Sequence, residues 1–137
     1  MPDLVLDPTT VVPGDGSQLT NGIAGVAIVA GDVCALDPAT QRFILATTAN
    51  IAGARVRGVA VCSASIGQPM RVQTGGILNV GAALLTIGEL YALSGLTAGK
   101  IGPVADLGAG DFVTVLGIAQ TTSLLQMRLW VTELAKA

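Results

Sequence analysis

The sequence predicts an all-β protein, a small barrel or sandwich of short strands that is internally duplicated and carries an extended N-terminal arm. Three observations lead to this fold class. From Gly22 onward, short apolar runs alternate with glycine, asparagine, aspartate, serine and threonine, a pattern typical of strands and turns. Several motifs recur in the same order, 57 to 59 residues apart. Residues 1–22 differ from the rest because they hold three of the six prolines.

The first 22 residues are predicted to be an arm outside the compact core, and residues 23–137 to be the β-domain. Proline fixes φ and cannot donate to a ladder, so the arm is not expected to join a sheet of its own. Its apolar residues are Leu4, Val5, Leu6, Val11 and Val12. They have no evident partner in the core, so we expect them to contact a neighbouring subunit, the arm being mobile until it binds. A passive tail is the alternative.

The β-domain is predicted to contain ten short strands and no long helix. The apolar runs bounded by turn residues place these strands at 25–29, 33–37, 43–46, 56–62, 68–73, 83–86, 90–94, 101–104, 112–120 and 124–131. Between Leu36 and Gln41 the sequence Asp-Pro-Ala-Thr is typical of a tight turn. Short helical turns are expected over 48–53 and near 105–108.

Two similar units, at about residues 25–74 and 82–131, are predicted from the repeated motifs. Four pairs of segments match: 31–37 with 88–94, 42–44 with 100–102, 58–60 with 117–119, and 70–72 with 127–129. The units are expected to pack with pseudo-twofold symmetry, with Gly31 over Gly88 and Arg71 over Arg128. Compositional bias in a chain rich in glycine, alanine and valine is the alternative.

Composition predicts a protein that covers apolar surface by binding other subunits. Hydrophobic residues make up 51% of the chain and charged residues 12%, about half the usual charged share. The sequence contains no run of about 20 apolar residues, the length that a membrane-spanning helix needs. Its four aromatic residues are too few for the girdles of a transmembrane barrel. The early acids and the absence of a basic segment at the N-terminus do not fit a secretory signal. We therefore expect a homo-oligomer, with the trimer as the favoured state, that has no membrane partner.

The residue inventory argues against catalysis and against direct nucleic-acid binding. The chain has no histidine, which removes Ser-His-Asp and Cys-His catalysis and the commonest metal ligand. The seven basic residues are spread along the chain and form no phosphate-binding cluster. Asp32 and Glu89 occupy matched repeat positions, which favours structural roles where strands begin. We therefore predict no enzyme activity, no catalytic residue, no metal and no cofactor.

Two cysteines and one tryptophan complete the inventory of special residues. Cys34 and Cys62 lie in apolar runs and are predicted to be buried thiols, with a disulfide as the alternative. Trp130 stands between Leu129 and Val131, and we expect it in the core or in an interface rather than in a sugar-binding platform.

Taken together, the motifs resemble the small head-decoration, or cement, proteins of tailed bacteriophages. The segments that carry the resemblance are 30–37, 46–50, 58–60, 67–76, 88–94, 100–103 and 110–119, within residues 22–131. The resemblance implies binding of the major capsid protein on the outside of the capsid, as a trimer or a dimer, after synthesis in the host cytoplasm. It implies no individual site residues. Another virion β-module, of a tail, fibre base or spike, is the first alternative, and a carbohydrate-binding β-domain is the second.

Overall fold

The computed structural model describes Leu4 and residues 6–136, which form one curled, half-barrel antiparallel sheet of ten strands. The strands are β1 (Val12–Pro13), β2 (Gln18–Ile23), β3 (Val33–Leu36), β4 (Phe43–Leu45), β5 (Val56–Ala60), β6 (Pro69–Asn79), β7 (Leu90–Leu93), β8 (Ile101–Pro103), β9 (Phe112–Ala119) and β10 (Leu124–Ala135). One helical turn, α1 (Ile51–Ala54), and one 3-10 turn, η1 (Val104–Asp106), lie close to the two predicted helical turns. The all-β prediction is confirmed.

Two of the predicted strands, 25–29 and 83–86, do not form. The first segment contains one isolated bridge, between Ile28 and Ala64, and the second consists of a bend and irregular backbone. Each segment still buries one large side chain, Ile28 or Leu85. An apolar run signals burial, and these two runs are buried by covering a sheet face rather than by pairing within the sheet.

The sheet order, β4-β3-β5-β6-β10-β9-β7-β8, confirms the internal duplication. From one end the order is β4-β3-β5-β6, and from the other end it is β8-β7-β9-β10. The two orders are the same when β3 to β6 are matched with β7 to β10. The registers agree as well, since Val33 lies opposite Val59 and its counterpart Leu90 opposite Ile118. A register shift follows at the same place in both units, after Cys34 and after Tyr91.

The turns that start the two units are also the same. The Gly31 N–H donates to the Ala60 carbonyl at 2.8 Å, and the Gly88 N–H donates to the Ala119 carbonyl at 2.9 Å. Both glycines have a positive φ, 97° and 83°, which glycine adopts without a steric cost. The match between segments 31–37 and 88–94 therefore marks a repeated turn that leads the chain into a strand.

The predicted superposition of Arg71 on Arg128 is wrong by four residues. Ala60 lies opposite Val72, whereas its counterpart Ala119 lies opposite Leu125. The cause is the length of the connection before the last strand of each unit, which is eight residues in the first (61–68) and four in the second (120–123). The repeated Met-Arg pair is thus a coincidence of composition, and Val72 is the structural counterpart of Leu125.

The prediction that residues 1–22 stand outside the sheet is also wrong. Both β1 and β2 pair antiparallel with β6, and Val11 is 3% exposed in the main core. Pro13 fits because β1 lies at an outer position of the ladder, where a missing N–H costs little. The first unit therefore begins near Gln18 rather than near residue 25.

The hydrophobic core has two parts, and β6 passes from one to the other. Val72 belongs to a satellite cluster with Cys34 and Phe43, whereas Leu78 belongs to the main core. Side chains of a regular strand alternate, so residues 72 and 78 would face the same way. A register shift against β2 near Thr74 and a φ of 80° at Gly76 invert this alternation.

Candidate interaction surface

The six predicted interface residues fall into different environments. Val11 is a core residue, so the interface prediction is wrong for it. Leu4 and Leu6 pack against the same core, and the Leu4 N–H donates to the Ile101 carbonyl at 2.9 Å. Val5 lies outside the described residues. Val12 and Trp130 remain exposed, at 45% and 67%.

Of these residues, Trp130 lies on a broad sheet face made by β7, β9 and β10. Residues directly opposite each other in neighbouring strands project from the same face. Ile118 of β9 lies opposite both Leu90 and Gln126, and Val115 lies opposite Trp130. On β10, Arg128 and Trp130 are exposed and alternate with Met127 and Leu129, which pack in the core. We call this surface the open face; its residues are Leu90, Val115, Ile118, Gln126, Arg128 and Trp130.

The corresponding face of the first unit is closed. Val33, Val56 and Val59, the counterparts of Leu90, Val115 and Ile118, are at most 5% exposed and belong to the main core. Because the side chains of β6 change faces along the strand, the face of the first unit that contains the three valines points into the core. The opposite face of the first unit points outward. The open face is thus built from positions that are core positions in the other unit.

The outward face of the first unit is covered by segments of the chain itself. Ile28, from the connection between β2 and β3, and Ala64, from the eight-residue connection before β6, close the satellite cluster over Cys34. The second unit has only four residues at the place of the longer connection, 120–123, and Val115 and Ile118 on its outer face are half-buried. Leu90 and Trp130 on the same face are exposed, at 47% and 67%.

One cation, Arg128, stands within the open face. The ion pairs among the described residues are Arg55 with Glu133 and Lys100 with Asp32, and neither includes Arg128. Arg128 and Trp130 are two residues apart on one strand, so their side chains emerge about 7 Å from each other. The face thus combines an apolar surface, an aromatic ring and an unpaired guanidinium.

Two of the concavities elsewhere on the molecule differ in their linings. One, of about 200 Å³, lies beneath Leu4 and Leu6 and contains the Asp32–Lys100 ion pair, whose closest atoms are 3.4 Å apart. Asp32 is buried, and its Oδ2 accepts the Val29 N–H at 3.0 Å, which fits the structural role predicted for it. The other, of about 620 Å³, is an open groove bordered by Leu19, Cys62 and Arg71 among others.

Neither cysteine forms a disulfide, and Cys34 is chemically protected. Burial, followed by the nearby Asp32 charge, raises the pKa of the Cys34 thiol to about 12. Its Sγ donates to the Asp32 carbonyl at 3.5 Å. Cys62 is only partly buried, so the prediction of a buried thiol is confirmed for Cys34 and holds in part for Cys62. Within the described part of the chain, no group of three or more histidine, cysteine, aspartate or glutamate residues could hold a metal ion.

Sequence reasoning identified Trp130 but missed the rest of the open face. The repeat contained the signal, because Leu90 and Ile118 align with Val33 and Val59, which are core residues. Which copy of a repeated position is exposed depends on the inversion in β6, and the sequence motifs do not reveal this inversion.

Comparison of the chain with models of protein families gives no match, and comparison with curated proteins gives none either. No helix in residues 6–136 is long and apolar enough to cross a membrane.

Proposed function

We propose that this protein is a structural virion protein that binds the outer surface of a bacteriophage capsid and stabilises the expanded head. The observation that carries the proposal is the open face, where Leu90 and Trp130 are exposed beside the half-buried Val115 and Ile118 in a chain with few charges. Exposed apolar patches of this kind are typical of protein–protein binding sites. The motifs that resemble decoration proteins lie in the same β-units, at the turn before β7 and along β9.

The physical basis of the proposed function is linkage between binding and assembly. A protein that binds the expanded capsid lattice and not its separated subunits stabilises the lattice by mass action. When the bound protein is itself an oligomer, contacts to several capsid subunits raise its residence time without any single strong contact. We propose that the protein is a homo-oligomer on the virion exterior. The resemblance to decoration proteins leads us to expect a trimer.

The direct experiment is binding of the purified protein to expanded capsids that lack it. Sedimented capsids should carry the protein at a saturable, symmetry-related stoichiometry, and decorated capsids should release their DNA at a higher temperature than bare ones. Unexpanded capsids and tails are the controls. Binding to tails alone would point to the tail, fibre-base or spike alternative.

Trp130 favours the carbohydrate-binding domain as a second candidate, because exposed rings on sheets stack on sugars. The cross-strand neighbour of Trp130, Val115, has no hydrogen-bonding side chain, so Arg128 and Gln126 alone on this face offer side-chain hydrogen bonds to hydroxyl groups. Titration with host-surface oligosaccharides, followed by Trp130 fluorescence, tests it. A saturable change in fluorescence with the sugars, together with no binding to capsids, would favour the second candidate.

A further inference from the structure

We infer that the open face is the capsid-binding surface and that its partner presents apolar side chains around a carboxylate, which pairs with Arg128. This inference rests on the proposed function and assigns it to particular residues. The positions of Leu90, Val115 and Ile118 are core positions in the first unit, yet in the second unit Leu90 is exposed and Val115 and Ile118 are only half-buried. A partner that covers them completes the burial that the first unit achieves by itself.

The charge of the open face constrains the partner that can cover it. In the free protein the Arg128 guanidinium is hydrated and carries no desolvation penalty. A partner that covers Trp130 also removes water from this guanidinium. An arginine buried without a counter-charge is strongly unfavourable, so the covering surface must supply an acceptor. A carboxylate is the best match, because its two oxygens accept the two parallel N–H groups of arginine.

The charge of the open face also distinguishes the capsid from a second copy of this chain. Two copies joined through their open faces would bring together two Arg128 side chains and no acid, since the face contains no aspartate or glutamate. The charge of the face therefore selects a different surface. Contacts between copies then have to use exposed apolar residues elsewhere, such as Ile66.

The test measures the dissociation constant of the full chain for expanded capsids at low and moderate salt. Trp130→Ala and Arg128→Glu should each weaken binding at least tenfold, and Arg128→Lys less, because it keeps the charge but loses the paired geometry. The effect of Arg128→Glu should diminish with salt, which screens exposed charges. The matched controls are Leu96→Ala, an exposed apolar residue outside the face, and Arg42→Glu, an exposed arginine outside it; both should bind within twofold of the wild type.

The possible outcomes separate the inference from the proposed function. If the wild type binds capsids and the Trp130 and Arg128 variants bind equally well, the inference is overturned and the proposed function stands. If the wild type does not bind, both fail. If Trp130→Ala lowers the oligomeric state in light scattering but leaves capsid affinity unchanged, the open face joins copies of this chain and the inference is overturned. Unchanged circular dichroism of each variant establishes that it is folded.

Discussion

Gln73 is a fully buried amide at the point where β6 changes the face it buries. Its Nε2 donates to the Gly75 carbonyl at 3.0 Å and to the Ile77 carbonyl at 2.9 Å, so one side chain bridges the irregular turn of the strand. Its Oε1 is buried and has no hydrogen-bond partner. Such an arrangement is tolerated only where the two donated bonds outweigh the unsatisfied acceptor. Gln73 thus helps to fix the inversion on which the open face depends.

Gln73→Leu should lower the free energy of unfolding by about 1–3 kcal/mol, because the Gly75 carbonyl loses its amide donor. The matched control is Gln126→Leu, at the equivalent position of the second unit, where the side chain is half-buried and makes no hydrogen bond among the described residues. It should change the free energy by less than about 0.5 kcal/mol. Urea denaturation measures both. Equal losses in the two variants would mean that Gln73 does not hold the irregular turn.

The two cysteines should differ in reactivity. At mildly alkaline pH, an aromatic disulfide reagent should modify one thiol per folded chain, Cys62, and two per unfolded chain, since burial raises the Cys34 pKa to about 12. A raised pKa in the folded state means that the unfolded state loses its proton first. The free energy of unfolding should therefore hold below the ordinary thiol pKa of 9.0 and fall as the pH rises towards 12. Cys34→Val should reduce this fall, and modification of both thiols in the folded chain would contradict the prediction.

At the scale of elements, the sequence predicted the hairpins well and the partners of β6 poorly. The strands β3 and β7 follow a glycine and an acid, and both occur where predicted. The arm was misjudged because proline argues against a ladder, whereas β1 and β2 lie at outer positions where the ladder tolerates Pro13. The Met-Arg match failed because residue identity does not reveal the length of the preceding connection. Long-range pairing decided both cases, and local patterns do not encode it.

Neighbouring valines in the arm provide a test of its docking on the sheet. Val11→Ala should lower the free energy of unfolding by about 1–3 kcal/mol, because it leaves a cavity in the main core. Val12→Ala is the matched control: Val12 is 45% exposed, and we expect a change below about 1 kcal/mol. Denaturant unfolding of both variants measures the difference. Small and equal changes in the free energy of unfolding would mean that the arm does not pack on the sheet and is mobile. Deletion of residues 1–20 would then leave a stable domain.

At the scale of the whole molecule, duplication has not produced two independent domains. The main core takes Val33 and Val59 from the inward face of the first unit and Tyr91 and Leu125 from the second. Strand β6 also serves both units, since its start pairs with β2 and β5 and its end with β10. The two units therefore share the main core, and the satellite cluster consists of first-unit residues alone.

The two units should consequently unfold in one cooperative transition. Each unit has its own probe: modification of Cys34 reports the first, and absorbance of Tyr91, the only tyrosine, reports the second. Because the two buried residues belong to clusters that share β6, both signals should change at the same denaturant concentration and coincide with circular dichroism of the sheet. A fragment of residues 76–137 should be unfolded, since it keeps Leu125 and Leu116 but loses the valines of the first unit that cover them. Separate midpoints for Cys34 and Tyr91, or a folded fragment, would mean that the units are autonomous and that the shared core contributes little to stability.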